Sequence, residues 1–192
     1  MFGNAVATAT FGQPSDTLVI ESVAQVVLSA AAYPVFPIAA SAISYPFRYS
    51  DDEWGDLGLL TVQQYPDDGG LRAWAQGFVA GNPTDTLSLL QDPSAGVARC
   101  VAYQAREDEG TQSPSQSLSF AQGSCRDLAT LFVEAVRSLG FGTRIVSGCL
   151  YHPTQTLVGS ANAGSTHAWG EVYVPGAGWI TFDPTTAWAA RT

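Results

Sequence analysis

The sequence predicts an α+β domain, and three observations predict it. Residues 125–139 carry one amphipathic helical period, two alternating strands fold about Pro175-Gly176-Ala177-Gly178 just downstream, and the first fifty residues read as short β segments. The 192 residues suit one ordinary domain, and 46% hydrophobic against 13% charged content is enough to bury a core.

In chain order, Thr17 to Ile20 and Val23 to Leu28 are rich in β-branched residues and read as strands. Pro34, Pro37 and Pro46 then make the chain extended, and composition shifts over Tyr49 to Glu53. The expected division is therefore a partial β-rich N-terminal region over 1–50 and a main domain over 51–192. Leu71 to Ala80 reads as a helix stopped by Gly81-Asn82-Pro83. Residues 84–105 form a second helical stretch, with a break and restart at Asp92-Pro93. Glu107 to Gln122 is polar and reads as a loop.

The clearest element follows that loop. Leu128, Leu131, Phe132, Ala135, Val136 and Leu139 fall on one helical stripe, and Asp127, Thr130, Glu134 and Arg137 fall opposite, facing solvent. Ser124 suits the N-cap, and Gly140 suits a left-handed C-terminal position. Strands are expected over Thr143 to Tyr151, His167 to Val174 and Trp179 to Asp183.

Composition also excludes functions. A net charge of −9 without any basic run speaks against nucleic acid as a partner. Val23 to Ser44 is almost uncharged, but Pro34 and Pro37 interrupt it, so no membrane span is expected. Cys100, Cys125 and Cys149 are odd in number and lack a C-x-x-C pair, which supports neither a zinc site nor a disulfide framework. A reducing compartment fits such thiols, and residues 1–12 lack a basic head followed by an apolar core, so the expected location is cytoplasmic.

Chemistry concentrates at three residues. Cys125 lies in the first turn of the predicted helix, on the buried stripe, where unsatisfied N–H groups and the positive dipole end favour a thiolate. Folding the last two strands about their turn brings Asp183 opposite or diagonal to His167. A carboxylate there can accept the imidazole Nδ1–H, and the other nitrogen can take a proton from a thiol.

The runs GSCRDLATLFVEAVRSLGFGTRIVSGCL and THAWGEVYVPGAGWITFDPTT carry G-x-C-x-D-x-A, H-A-W-x-E-V-Y and W-x-x-F-D-P-T in order. Over roughly residues 70–188 the chain resembles the bacterial transglutaminase-like superfamily, which includes transglutaminase-like enzymes and cysteine proteases. More weakly, residues 1–45 resemble the end of the β-rich region that precedes this core in such proteins, which implies an abbreviated form.

The resemblance implies a papain-like α+β core with a nucleophile-bearing helix packed on an antiparallel sheet. It implies Cys125 as nucleophile, His167 as general base and acid, and Asp183 as orienter. Tyr103 matches a tyrosine preceding the Cys loop, whose hydroxyl can help hold an oxyanion. Trp169 is two residues beyond His167 and can wall the cleft. Asp127 matches a recurrent acidic position and is read as a cap or surface residue. Cys100 and Cys149 are read as packing residues, Glu171 as a solvated strand position, and His152 receives no role.

The expected activity is acyl transfer to, or hydrolysis of, a glutamine carboxamide or peptide bond in a protein or peptide substrate, through a thioester. No cofactor is expected, and no D-x-D-x-D-G calcium loop is present. The alternative is a binding or scaffold module that keeps the fold without catalysis.

Overall fold

The computed structural model describes residues 6–21, 23, 25, 27, 34–106, 108–150 and 165–185. The chain divides into two compact units, Met1–Val35 and Phe36–Thr192. Within the first, Thr17 to Ile20 is exposed and forms no strand, contrary to expectation. β propensity alone does not make a strand; a hydrogen-bonded neighbour is also required. The predicted strand at 23–28 lies partly outside the described residues.

Residues 36–50 group with the second unit. Phe36, Ile38, Tyr45 and Phe47 pack on its core, which apolar burial rather than local composition decides. Tyr49 ties this segment down: its hydroxyl donates to the Tyr173 carbonyl at 2.8 Å and accepts from the Gly142 N–H at 3.0 Å. Burial pushes its phenol up to about 12, so the hydroxyl stays protonated and able to donate.

Two short ladders, β1 (Ser44–Tyr45) with β2 (Thr84–Asp85) and β3 (Ala102–Tyr103) with β4 (Gln122–Gly123), are separate from the main sheet. That sheet is antiparallel, in the order β5 (Thr143–Leu150), β6 (Ser165–Val174), β7 (Gly178–Phe182). Among the described residues the unit also has five α-helices: α1 (Asp51–Leu57), α2 (Gly70–Gln76), α3 (Thr86–Cys100), α4 (Pro114–Phe120) and α5 (Cys125–Ser138). The α+β expectation holds, with α5 laid on the sheet.

α1 and α4 were legible and unread. Each starts with a capping box, Ser50 with Glu53 and Ser113 with Gln116, and Pro114 adds a pre-set first helical residue. The segment 107–122 is therefore not all loop. α3 runs unbroken through Pro93, because Leu89, Leu90, Pro93 and Val97 are buried together and packing outweighs the one lost backbone bond.

α5 follows its predicted stripe, and Leu128, Leu131, Phe132, Ala135 and Val136 are all buried. At its end Gly140 takes φ 96°, the Phe141 N–H bonds the Val136 carbonyl and the Gly140 N–H bonds that of Arg137. This is the six-to-one and five-to-two pattern that a left-handed residue permits. The opposite stripe departs from expectation, since Thr130, Glu134 and Arg137 are buried rather than solvated. Residues 58–65 cover Glu134 and Arg137: Arg137 donates to the Leu60 and Thr143 carbonyls and pairs with Glu134, which accepts from the Gln64 N–H.

The sheet meets α5 through Gly170. A Cβ there would sit 2.7 Å from the Phe132 ring, so only glycine allows this close a helix–strand approach.

Candidate active site

Cys125 is the first residue of α5 and is half-buried. Its turn is built by the carboxylate of Asp127, which accepts from the Ser124 N–H and Ser124 hydroxyl, both at 2.8 Å. The same group accepts from the Gln112 N–H at 2.8 Å and the Arg106 Nε at 3.2 Å. Asp127 is 0% exposed, which corrects its expected place on the solvent face. A helical wheel cannot see the 106–112 segment that folds over it.

Arg126 reinforces that cover by donating to the carbonyls of Gly110, Arg106 and Asp108. The polar segment before the nucleophile, read from sequence as a loop, is thus fastened to α5 at several points.

Burial alone would raise the Asp127 acid. The N–H groups of Gln112 and Ser124, the Ser124 hydroxyl and Arg106 outweigh it, and hold it below the ordinary carboxylate value of 3.8. A depressed folded value adds stability that is present above 3.8 and is lost as pH falls through the folded value. Asp127→Asn should therefore cost about 2–4 kcal/mol at neutral pH, by loss of charged hydrogen bonds. The gap to wild type should narrow below roughly pH 4 as the native carboxyl protonates. Urea unfolding of both proteins at pH 7 and pH 3 checks this, and an unchanged gap would refute it.

His167 lies near the start of β6, buried, opposite Gly148 of β5. The β6–β7 register pairs Gly170 with Phe182, so its continuation sets Asp183 across from Trp169 and diagonal to His167. The two side chains meet, with His167 Nε2 2.8 Å from Asp183 Oδ2. The nitrogen engaged is Nε2, not the Nδ1 expected from sequence. A diagonal neighbour starts some 7 Å away, and a short aspartate spans that gap only to the ring's outer nitrogen.

Thr185, to which the sequence reading assigned no role, steadies the acid. Its N–H and hydroxyl donate to Asp183 Oδ1 at 3.0 and 2.6 Å, and its hydroxyl is 3.3 Å from His167 Nε2. The signal was present in Asp183-Pro184-Thr185, a turn in which an aspartate accepts from the residue two positions on.

Both halves of the constellation lie toward one end of the helix–sheet interface. α5 and β6 run the same way, since Phe132 packs on Gly170 and the Tyr173 N–H reaches the Gly142 carbonyl after the helix ends. Cys125 precedes Phe132 by about 10 Å of helix. His167 precedes Gly170 by about 10 Å of strand. Strand alternation points Gly170 and Val172 at α5 and His167 to the other face of the sheet.

Trp169 is half-buried beside His167, with ring centroids 6.2 Å apart and planes tilted 31°. Its indole passes over Gly148, where a Cβ would come within 2.6 Å of the ring. Tyr103 is 57% exposed, and β3 places it beside Gly123, two residues before Cys125. Glu171 is not a solvated position: it pairs with Arg144, whose guanidinium stacks on Trp179 at 4.1 Å. Cys100 and Cys149 are exposed, contrary to their reading as packing residues, and His152 lies outside the described residues.

Among the described residues no group of three or more His, Cys, Asp or Glu could hold a metal ion, and no helix is long and apolar enough to cross a membrane.

Known proteins resemble this chain at both levels. A segment of 69 residues is 36% identical to an uncharacterized protein of Mycobacterium leprae, covering 36% of this chain and 24% of that protein. Among solved structures, a Cytophaga hutchinsonii protein described as a "putative cysteine protease" superposes with a TM-score of 0.56 at 23% identity, covering 69% of this chain and 43% of that one. The periplasmic domain of TgpA from Pseudomonas aeruginosa superposes with a TM-score of 0.50 at 21% identity, covering 67% of this chain and 46% of that one. The chain thus spans less than half the length of each of these proteins, and the structural likeness speaks for the fold. The family model for the transglutaminase-like superfamily matches residues 72–184, a stretch holding α5 and all three strands of the main sheet, and the chain belongs to that superfamily.

Proposed function

We propose that this domain is a cysteine-nucleophile acyltransferase or hydrolase acting on amide bonds of protein or peptide substrates. The observation that carries the proposal is the contact of the buried His167 with the partly buried Asp183, 2.8 Å apart, in a chain whose α5 begins with Cys125.

The chemistry follows from those positions. Cys125 Sγ attacks the carbonyl carbon, and His167 Nδ1, the nitrogen turned from Asp183, takes the thiol proton. The same proton passes to the departing nitrogen, so ammonia or an amine leaves and a thioester remains. Water or a second amine then attacks the thioester, gives a proton to His167 and restores the thiol. Asp183 orients the ring and balances its transient positive charge. The Cys125 backbone N–H lies at the amino end of α5, where an oxyanion is best stabilised, with the Tyr103 hydroxyl as second donor. Trp169 walls the cleft beside His167.

Differential alkylation tests this reading. Cys125 is half-buried while Cys100 and Cys149 are exposed, so accessibility alone makes Cys125 the slowest thiol to react. With limiting iodoacetamide, peptide mapping should instead find Cys125 modified first. With 4-nitrophenyl acetate, one acetyl group should accumulate on Cys125, absent in Cys125→Ala, and an added primary amine should speed its release if the acceptor is an amine. Alkylation that merely follows exposure would leave a scaffold module as the better description.

A further inference from the structure

We infer that Asp127 is a positioning residue for the Cys125 thiol, with Arg106 as its charge partner; this rests on the reading of Cys125 as nucleophile. The carboxylate is buried and binds two stretches of chain, Ser124 in its own turn and the covering segment that holds Arg106 and Gln112. Ser124, just before the nucleophile, gives it both an N–H and a hydroxyl. Gln112 gives a backbone N–H and Arg106 a guanidinium edge.

A capping role needs only the Ser124 contacts, which would satisfy a helix end by themselves. The bonds to Gln112 and Arg106 do something else: they fasten the 106–112 segment against the turn bearing Cys125. Arg126, on the other side of Cys125 from Ser124, clamps the same segment through Gly110 and Arg106 carbonyls. Cys125 is thus bracketed by two residues, Ser124 and Arg126, whose polar groups are held by neighbours. A further bond closes the arrangement, since Gln112 accepts from the Ser117 hydroxyl in α4. The direction of the sulfur is set by a turn that Asp127 holds through Ser124 and that Arg126 ties to the same covering segment. Near-attack geometry tolerates little slack, so loosening the turn should slow the thiol even in protein that stays folded.

The experiment compares wild type, Asp127→Asn and Arg106→Gln, each checked as folded by circular dichroism at the assay temperature. Iodoacetamide alkylation of Cys125 is measured against Cys100 and Cys149 in the same molecule. In Asp127→Asn the Cys125 rate should fall about tenfold or more while the two exposed thiols keep theirs. Arg106→Gln, which leaves the Ser124 and Gln112 donors in place, should give a smaller fall and serves alone if Asp127→Asn does not fold. A folded Asp127→Asn, or failing that Arg106→Gln, with an unchanged Cys125 rate overturns the inference and leaves the nucleophile reading intact. Wild type without any excess reactivity at Cys125 overturns both.

Discussion

Replacing Cys125 by alanine should lower turnover of 4-nitrophenyl acetate by about 10⁴-fold or more, with the fold unchanged. The side chain is half-buried at the first position of α5, outside the packed stripe that begins at Leu128, so little apolar contact is lost. On the proposed mechanism what is lost is the bond-forming atom, and neither water nor a hydroxyl at that site can form a thioester. On the same mechanism His167→Ala should cost a similar factor, since the imidazole is to carry the proton both ways. Asp183→Asn should cost up to about 10⁴, because an amide can present its N–H to Nε2 and hold the ring in the wrong tautomer. These effects should not multiply: His167→Ala in a Cys125→Ala background should add almost nothing, as expected of groups acting in one step. Single-turnover release of 4-nitrophenolate measures each. A Cys125→Ala protein retaining more than about a hundredth of wild-type turnover would place the chemistry elsewhere.

The largest effect on stability should come from Arg137→Ala, at about 3–5 kcal/mol. Arg137 and Glu134 are 8% and 1% exposed. Removing the guanidinium leaves a buried carboxylate without its counter-charge and strands the Leu60 and Thr143 carbonyls. The partner keeps only the Gln64 N–H at 2.9 Å. The double change Glu134→Leu with Arg137→Leu should recover much of the loss, because an absent pair costs less than half of one. It should not recover all of it, since the backbone groups of residues 60, 64 and 143 would still lack partners. Equilibrium urea unfolding of the three variants decides the matter. A cost below about 1 kcal/mol for Arg137→Ala would mean that water reaches the pair.

The two results are linked through residues 58–65. This segment covers Glu134 and Arg137 and, with Arg106 and Gln112 over Asp127, leaves α5 buried from Asp127 to Arg137. A helix covered in this way is a firm base for the sulfur at its amino end, which a helix with one solvated face provides less well.

Much of this was legible in the sequence because it depends on near neighbours. The stripe from Leu128 to Leu139, the Ser124 cap and the left-handed Gly140 are settled within a few residues of chain. The β6–β7 hairpin is likewise local, and its register carries Asp183 to a diagonal of His167 without further information. The capping boxes of α1 and α4 belong with these; they were present as Ser50 with Glu53 and Ser113 with Gln116.

Other features depend on chain that arrives from far away. Whether Asp127, Glu134 and Arg137 meet water is decided by residues 58–65 and 106–112, and helical period carries no information about either segment. Which imidazole nitrogen faces the carboxylate turns on a cross-strand offset of a few ångströms, below what pairing rules resolve. Thus the sequence alone determined the family, the helix that carries Cys125 and the partnership of His167 with Asp183. Only the tertiary structure decided which charged side chains are buried and which nitrogen is left to meet the thiol, because burial and side-chain reach are set by distant segments converging in space.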